Sequence, residues 1–205
     1  DQETNKKLEE RIKELNCLYG LSSLADKKDL SKEKFLQSAV DLIPPSWQYP
    51  DITSARITVN GNGYTTNGFK KTKWCQSSTI LVNHQQVGQI EVCYLKEKPQ
   101  LDEGPFLKEE RNLLDTFAKN LGNNLERLQK EEDLRRNREI LARTQQIAGI
   151  GSWEMDLQNN ILTWSDEVYQ IFGLKSQEFE PTYESFLAHV HPEDRDLVDT
   201  AYKRS

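Results

Sequence analysis

Among the side chains best able to act as nucleophiles, proton carriers or metal ligands, this 205-residue chain holds three cysteines and three histidines. Cys17, Cys75 and Cys93 are odd in number, unrelated in spacing and without a C-x-x-C pair. That pattern predicts neither a disulfide framework nor a zinc site, and it points to a reducing compartment. Cys75, beside Trp74 at the start of a predicted strand, is the candidate for a reactive or ligating thiol, and Cys93 projects from the same sheet face. Cys17 falls within an apolar helical stripe and reads as a small core residue. A phosphoacceptor histidine sits on a helix and is followed by an acidic residue. His84 lies in a predicted turn, and His189 and His191 flank a helix start, so all three read as caps or surface residues. The Asn60–Gly63 stretch is a hairpin turn signal rather than a phosphate loop between strand and helix. No catalytic set emerges, no metal site is expected, and the chain is read as non-enzymatic.

A net charge of -6 gives no basic face for nucleic acid or an anionic membrane. No apolar run approaches the ~20 residues of a membrane span, and nothing at the start resembles a signal peptide. The expected location is cytoplasmic. A start without methionine suggests a piece of a longer protein, whose remainder could carry a membrane anchor.

The elements that would position these residues follow from periodicity. Residues 2 to 25 place Leu8, Ile12, Leu15, Leu18, Tyr19, Leu21 and Leu24 at helical spacing, and a second helix from Ser31 carries Phe35, Leu36, Ala39, Val40 and Ile43 up to Pro44-Pro45. From Thr53 the period falls to two. Four strands are expected as an antiparallel meander joined by short turns, with Ile57, Val59, Ile80, Val82, Ile90, Val92 and Tyr94 on one face. Arg56, Thr58, Ser77, Thr79, Gln89, Glu91 and Cys93 share the other, which is expected to be largely open. Phe106 to Ile147 reads as one long helix of roughly 60 Å. Its front half bears Leu113, Leu114, Phe117, Leu121, Leu125 and Leu128, and its back half is nearly all charged. Beyond it, Trp153, Met155 and Leu157 form one arm of a second hairpin, turned at Gln158-Asn159-Asn160. Ile161 to Trp164 forms the return arm, and short helices follow.

Residues 8 to 130 resemble a GAF domain of prokaryotic sensor histidine kinases, through KELNCLYGLS, DLIPPSWQYPDITSARI, VGQIEVCYL and DEGPFLKEER. Residues 137 to 205 resemble the first half of a PAS domain, through IAGIGSWEMDL, LTWSDEVYQIFGL and HVHPEDR. The resemblance implies an α+β chain with a GAF-like sensor domain over residues 1–128, a helical coiled-coil linker over 129–147, and an incomplete PAS-like unit over 148–205. In GAF domains that bind cyclic nucleotides, haem or bilins, helices and long loops cover the outer sheet face. Those additions are missing here, and no cofactor is expected.

The implied function is a sensory, signal-relaying and dimerisation input module of a two-component kinase, homodimeric through Leu8, Ile12, Leu15 and the linker helices. Kinase domains would lie elsewhere in the same polypeptide. The alternatives are a haem or other cofactor held at Cys75, with Trp74 and Cys93 beside it, and a GAF-type methionine sulfoxide reductase. Trp153, Trp164 and Phe172 are the implied PAS pocket residues.

Overall fold

The structure is a computed structural model that describes residues 2–27, 30–156, 158–159, 161–176 and 180–204; the side chains of 2–7, 10 and 202–204 are left aside. Leu157 and Asn160, expected at the second hairpin's turn, lie outside the described residues. The fold is α+β, in two compact units, one up to Glu132 and one from Asp133.

In the first unit, α1 (Gln2–Ala25) and α2 (Lys32–Asp41) are the two amphipathic helices. The Ser31 hydroxyl accepts the Lys34 N–H and caps α2. The stripe of α1 divides: Cys17, Leu21 and Ala25 enter the core, whereas Leu8, Ile12, Leu15 and Tyr19 are exposed. Four strands follow, β1 (Thr53–Val59), β2 (Asn62–Thr65), β3 (Cys75–Val82) and β4 (Gln85–Tyr94). Ile57, Val59, Ile80, Val82, Ile90, Val92 and Tyr94 are all buried on one face. Phe35, Leu36, Val40, Trp47, Leu114, Phe117 and Leu121 join the same core.

The sheet is not a meander. Its order is β2-β1-β4-β3, with β1 and β4 central. Long antiparallel register between them, from Thr53 opposite Tyr94 to Val59 opposite Gly88, pairs the two longest apolar faces. β2 and β3 are therefore opposite edges, and the chain from Thr66 to Trp74 must travel from one to the other, about 14 Å at the usual strand spacing. This corrects the expectation of short turns and an open outer face. Ser54, Cys93 and Glu91 on that face are buried.

Glu91 shows what the crossing segment brings. Its carboxylate accepts from Arg56 Nε at 2.7 Å and pairs with Lys71 Nζ at 2.8 Å, and the Arg56 guanidinium lies over the Phe69 ring. Burial pushes the Glu91 carboxyl up, but the hydrogen bonds and charges of Lys71 and Arg56 outweigh it and hold it below the usual carboxylate range. The folded value lies below the unfolded ~4.3, so this stability is present above pH ~4.3 and is lost as pH falls toward the folded value. Urea midpoints of wild type and Glu91→Gln are expected to differ at pH 6–7 and to converge in acid. A gap that widens in acid contradicts the assignment.

The long helix α3 runs from Lys108 to Ala148. Leu113, Leu114, Phe117, Leu121 and Leu125 are buried, and Arg127 donates to the Ala25 carbonyl at 2.7 Å, which ties α3 to the end of α1. Past Leu128 its apolar residues Leu134, Ile140, Leu141 and Ile147 are exposed.

The second unit contains a hairpin of β5 (Trp153–Asp156) and β6 (Ile161–Trp164), with Trp153 opposite Trp164. Then come α4 (Asp166–Ile171), α5 (Tyr183–His189) and α6 (Arg195–Arg204). A reciprocal Thr182–Ser185 capping box starts α5.

Candidate functional site

Two places hold the residues singled out from sequence, and a third holds one that was not. The first is the start of β3. Cys75 sits directly opposite Cys93, with Cα atoms 4.1 Å apart, and the two sulfurs are joined as a disulfide. This corrects the reading of the cysteines as thiols. Spacing along the chain carried no sign of the pairing, because a β3–β4 hairpin can bring any two residues face to face, and its register alone selects these two. The bond lies on the outer face. Cys93 is fully buried, and Cys75 is partly exposed.

Beside Cys75 runs a groove of about 410 Å³ lined by Lys73, Trp74, Lys98, Gln100 and Glu103, among others. Lys73 lies over the Trp74 ring and Lys98 over the Tyr49 ring. These polar walls do not suit haem, whose macrocycle needs a largely apolar slot, and a disulfide sulfur offers no thiolate to iron. The residues expected around a cofactor at Cys75 therefore do not fit that group.

Cys17, by contrast, is a core thiol. Burial pushes it up to about 11, with a smaller opposing contribution from Ser46, so it is inert near neutrality.

The second place is the aromatic cluster of the second unit. Trp164 is buried, with the rings of Tyr169, Phe172 and Phe186 at 5.3, 5.5 and 6.4 Å from its own. Trp153, Met155, Leu162, Trp164, Tyr183 and Phe186 line an apolar cavity of about 30 Å³. That is roughly one or two waters' worth of space, far below a ligand pocket's usual several hundred Å³. Trp153 and Trp164 share this cavity, whereas Phe172 packs on Trp164 from outside its lining. Tyr183 and Phe186 were not singled out from sequence. They arrive from α5, and only the folding of that helix onto the hairpin reveals them.

The third is a buried carboxylate that the sequence reading did not single out. Glu110, in the first turn of α3, is 2% exposed. It accepts from the Tyr94 hydroxyl at 2.7 Å and from the backbone N–H groups of Gln48 and Leu107, each at 2.8 Å. It thus joins the loop after α2, strand β4 and the start of α3.

Each histidine has its own local setting. His84 holds a left-handed turn at φ 63°, and His189 Nδ1 lies 2.7 Å from the Ser185 carbonyl within its own helix. His191 precedes the Pro192 turn. Among the described residues no group of three or more His, Cys, Asp or Glu side chains could hold a metal ion. Among them, too, no helix is long and apolar enough to cross a membrane.

A family model described as "PAS fold" matches residues 161–205. The sensor protein FixL of Bradyrhizobium diazoefficiens is 38% identical over 56 residues, 27% of this chain and 11% of that protein. The chain thus spans about a tenth of the length of that curated relative. A solved PAS domain of a GGDEF family protein from Chromobacterium violaceum is 40% identical, covering 28% of this chain and 53% of that one, with a TM-score of 0.26. The chain carries a PAS-type domain near its C-terminus.

Proposed function

We propose that the chain is a sensory, signal-relaying input module of a two-component sensor histidine kinase. In this reading a GAF-like domain over residues 1–128 is joined by a helical linker, residues 129–147, to a PAS-type unit over 148–205, and two chains pair through their helices. Kinase catalysis belongs to other domains of the same polypeptide. The PAS match and the likeness to a sensor protein support the sensory part.

The observation that carries the pairing is the divided stripe of α1. Leu8, Ile12, Leu15 and Tyr19, spaced four, three and four apart, are 59%, 48%, 62% and 77% exposed on the side of α1 away from the core. That spacing is an a/d seam about three turns long, and an identical helix is the partner that offers matching knobs and holes. On α3 the exposed Leu134 and Leu141 repeat at seven residues and provide a second, thinner seam. A seam of few apolar contacts has alternative packings close in energy, so a small bias at the sensor domain can select between them. A cofactor at Cys75 has no comparable support, since its disulfide would first have to be opened.

Light scattering after size exclusion is expected to give a dimer at tens of micromolar. Ile12→Asp with Leu15→Asp should shift it to monomer, weakening association ~100-fold or more, while far-UV circular dichroism stays nearly unchanged. A wild-type monomer at that concentration, or a double variant that stays dimeric, contradicts the α1 seam.

A further inference from the structure

We infer that Cys75–Cys93 is an exchangeable disulfide, opened by an external thiolate that attacks Cys75 from the groove at the sheet edge, and that its opening loosens the 66–74 segment from the outer face. This goes beyond the relay reading and stands without it.

Displacement at a disulfide sulfur proceeds in line, with the incoming sulfur opposite the one that leaves, and the sulfur that is reached decides the product. β3 is an edge strand, so the line from Cys93 through Cys75 runs out of the sheet at that edge. In the other direction the line from Cys75 through Cys93 runs over β1, where Ser54, paired with Cys93, is itself buried. Only Cys75 is open to attack. The groove beside it accommodates a small thiol or a cysteine-bearing turn, and its walls carry Lys73 and Lys98 together with Glu97 and Glu103, a mixed charge that leaves access as the deciding factor.

The balance is that of a dithiol reductant. Its thiolate bonds to Cys75 Sγ as the Cys75–Cys93 bond breaks, and Cys93 leaves with the electron pair and takes a proton. The reductant's second thiolate then attacks its own sulfur in the mixed disulfide, and Cys75 leaves and is protonated. Two cysteine thiols and one oxidised dithiol result, a two-electron exchange. A home for the new Cys75 proton already exists, because the Thr72 carbonyl oxygen is 3.1 Å from Cys75 Sγ.

The consequence follows from what holds the segment. Thr66 to Trp74 contains no helix or strand. Its last turn is fixed by Thr72 Oγ1 donating to the Tyr94 carbonyl at 2.9 Å, by the Tyr94 N–H donating to Trp74 at 3.0 Å, and by the covalent bond at Cys75. Without that bond, the start of this edge strand keeps those two hydrogen bonds, the Lys71–Glu91 ion pair beside them and the partial packing of Trp74 on the core, all non-covalent. That is the kind of region that opens locally.

The test uses the full chain purified without reductant. After acid quench and unfolding, a maleimide-polyethylene glycol reagent should add one tag, at Cys17, before treatment with dithiothreitol and three tags after it. Reduction of the folded chain should be first order in thiol and insensitive to urea below the unfolding transition. A Cys93→Ser variant should form its mixed disulfide with oxidised glutathione at Cys75. Hydrogen exchange of the reduced wild type should quicken ~10-fold or more over residues 70–77 and stay unchanged in β1 and in α3 near Leu114. Three tags before any reductant would overturn the inference. So would reduction that tracks global unfolding, or exchange over 70–77 unaltered by reduction.

Discussion

Glu110→Ala is expected to destabilise the first unit by about 3–5 kcal/mol, the largest effect of any single polar substitution here. The carboxylate accepts from the Tyr94 hydroxyl and from two backbone N–H groups in a site closed to water. Alanine leaves those donors buried without it, at about 1–3 kcal/mol each before relaxation. It also removes the tie between the loop after α2 and the head of α3. Tyr94 would lose a partner on one side while keeping its stack on Phe106, whose ring centroid is 4.4 Å away. Glu110→Gln keeps the volume but turns an N–H group toward at least one donor, so it should fall between the two. Urea unfolding followed by hydrogen exchange in β1 and β4 reads the first unit alone. A loss below about 1 kcal/mol for alanine would show that the carboxylate is dispensable.

Gly122→Ala should cost about 2–3 kcal/mol although alanine is the better helix former. On an exposed helix the change would gain up to about 1 kcal/mol. Here a Cβ would stand 2.1 Å from the Leu81 carbonyl oxygen, which belongs to backbone and cannot rotate away. That carbonyl lies at the irregular register between Ile80 and Leu81. Relief requires α3 to lift from the sheet, and this loosens Leu121 and Leu125, which are buried on either side of the contact. Thermal unfolding and exchange of the Leu114–Leu125 amides measure it. Unchanged or increased stability would mean that the helix can shift without loss. If the relay proposal holds, this variant should also perturb signalling in a complete protein, because it moves the root of the connecting helix.

The two large effects sit on a helix whose existence was plain from sequence and whose attachments were not. Its length, the apolar stripe ending at Leu128 and the charged back half follow from spacing along the chain, since helical neighbours are three and four residues apart. The strands and their two faces followed equally from alternation, and the Asn60-Gly61 turn from residue types that accept positive φ. The PAS-type region was carried by local stretches such as LTWSDEVYQIFGL, which remain recognisable without any tertiary context.

Tertiary structure decided the rest, because each remaining feature depends on which distant segments meet. Pairing β1 with β4 rather than β3 with β2 sends residues 66–74 across the outer face and buries Glu91 between Arg56 and Lys71. The register of β3 on β4 sets Cys75 against Cys93 and turns two expected thiols into one bond. Glu110 looks like any charged residue in a first helical turn until Tyr94 and Gln48 close over it. The stripe of α1 is continuous in sequence. Only packing against α2 and the sheet shows that Leu21 serves the core while Leu8, Ile12 and Leu15 remain outside it. Periodicity fixes the local conformation and the face of each residue, whereas the free energy of long-range pairing selects the neighbour, and that choice makes the chemistry.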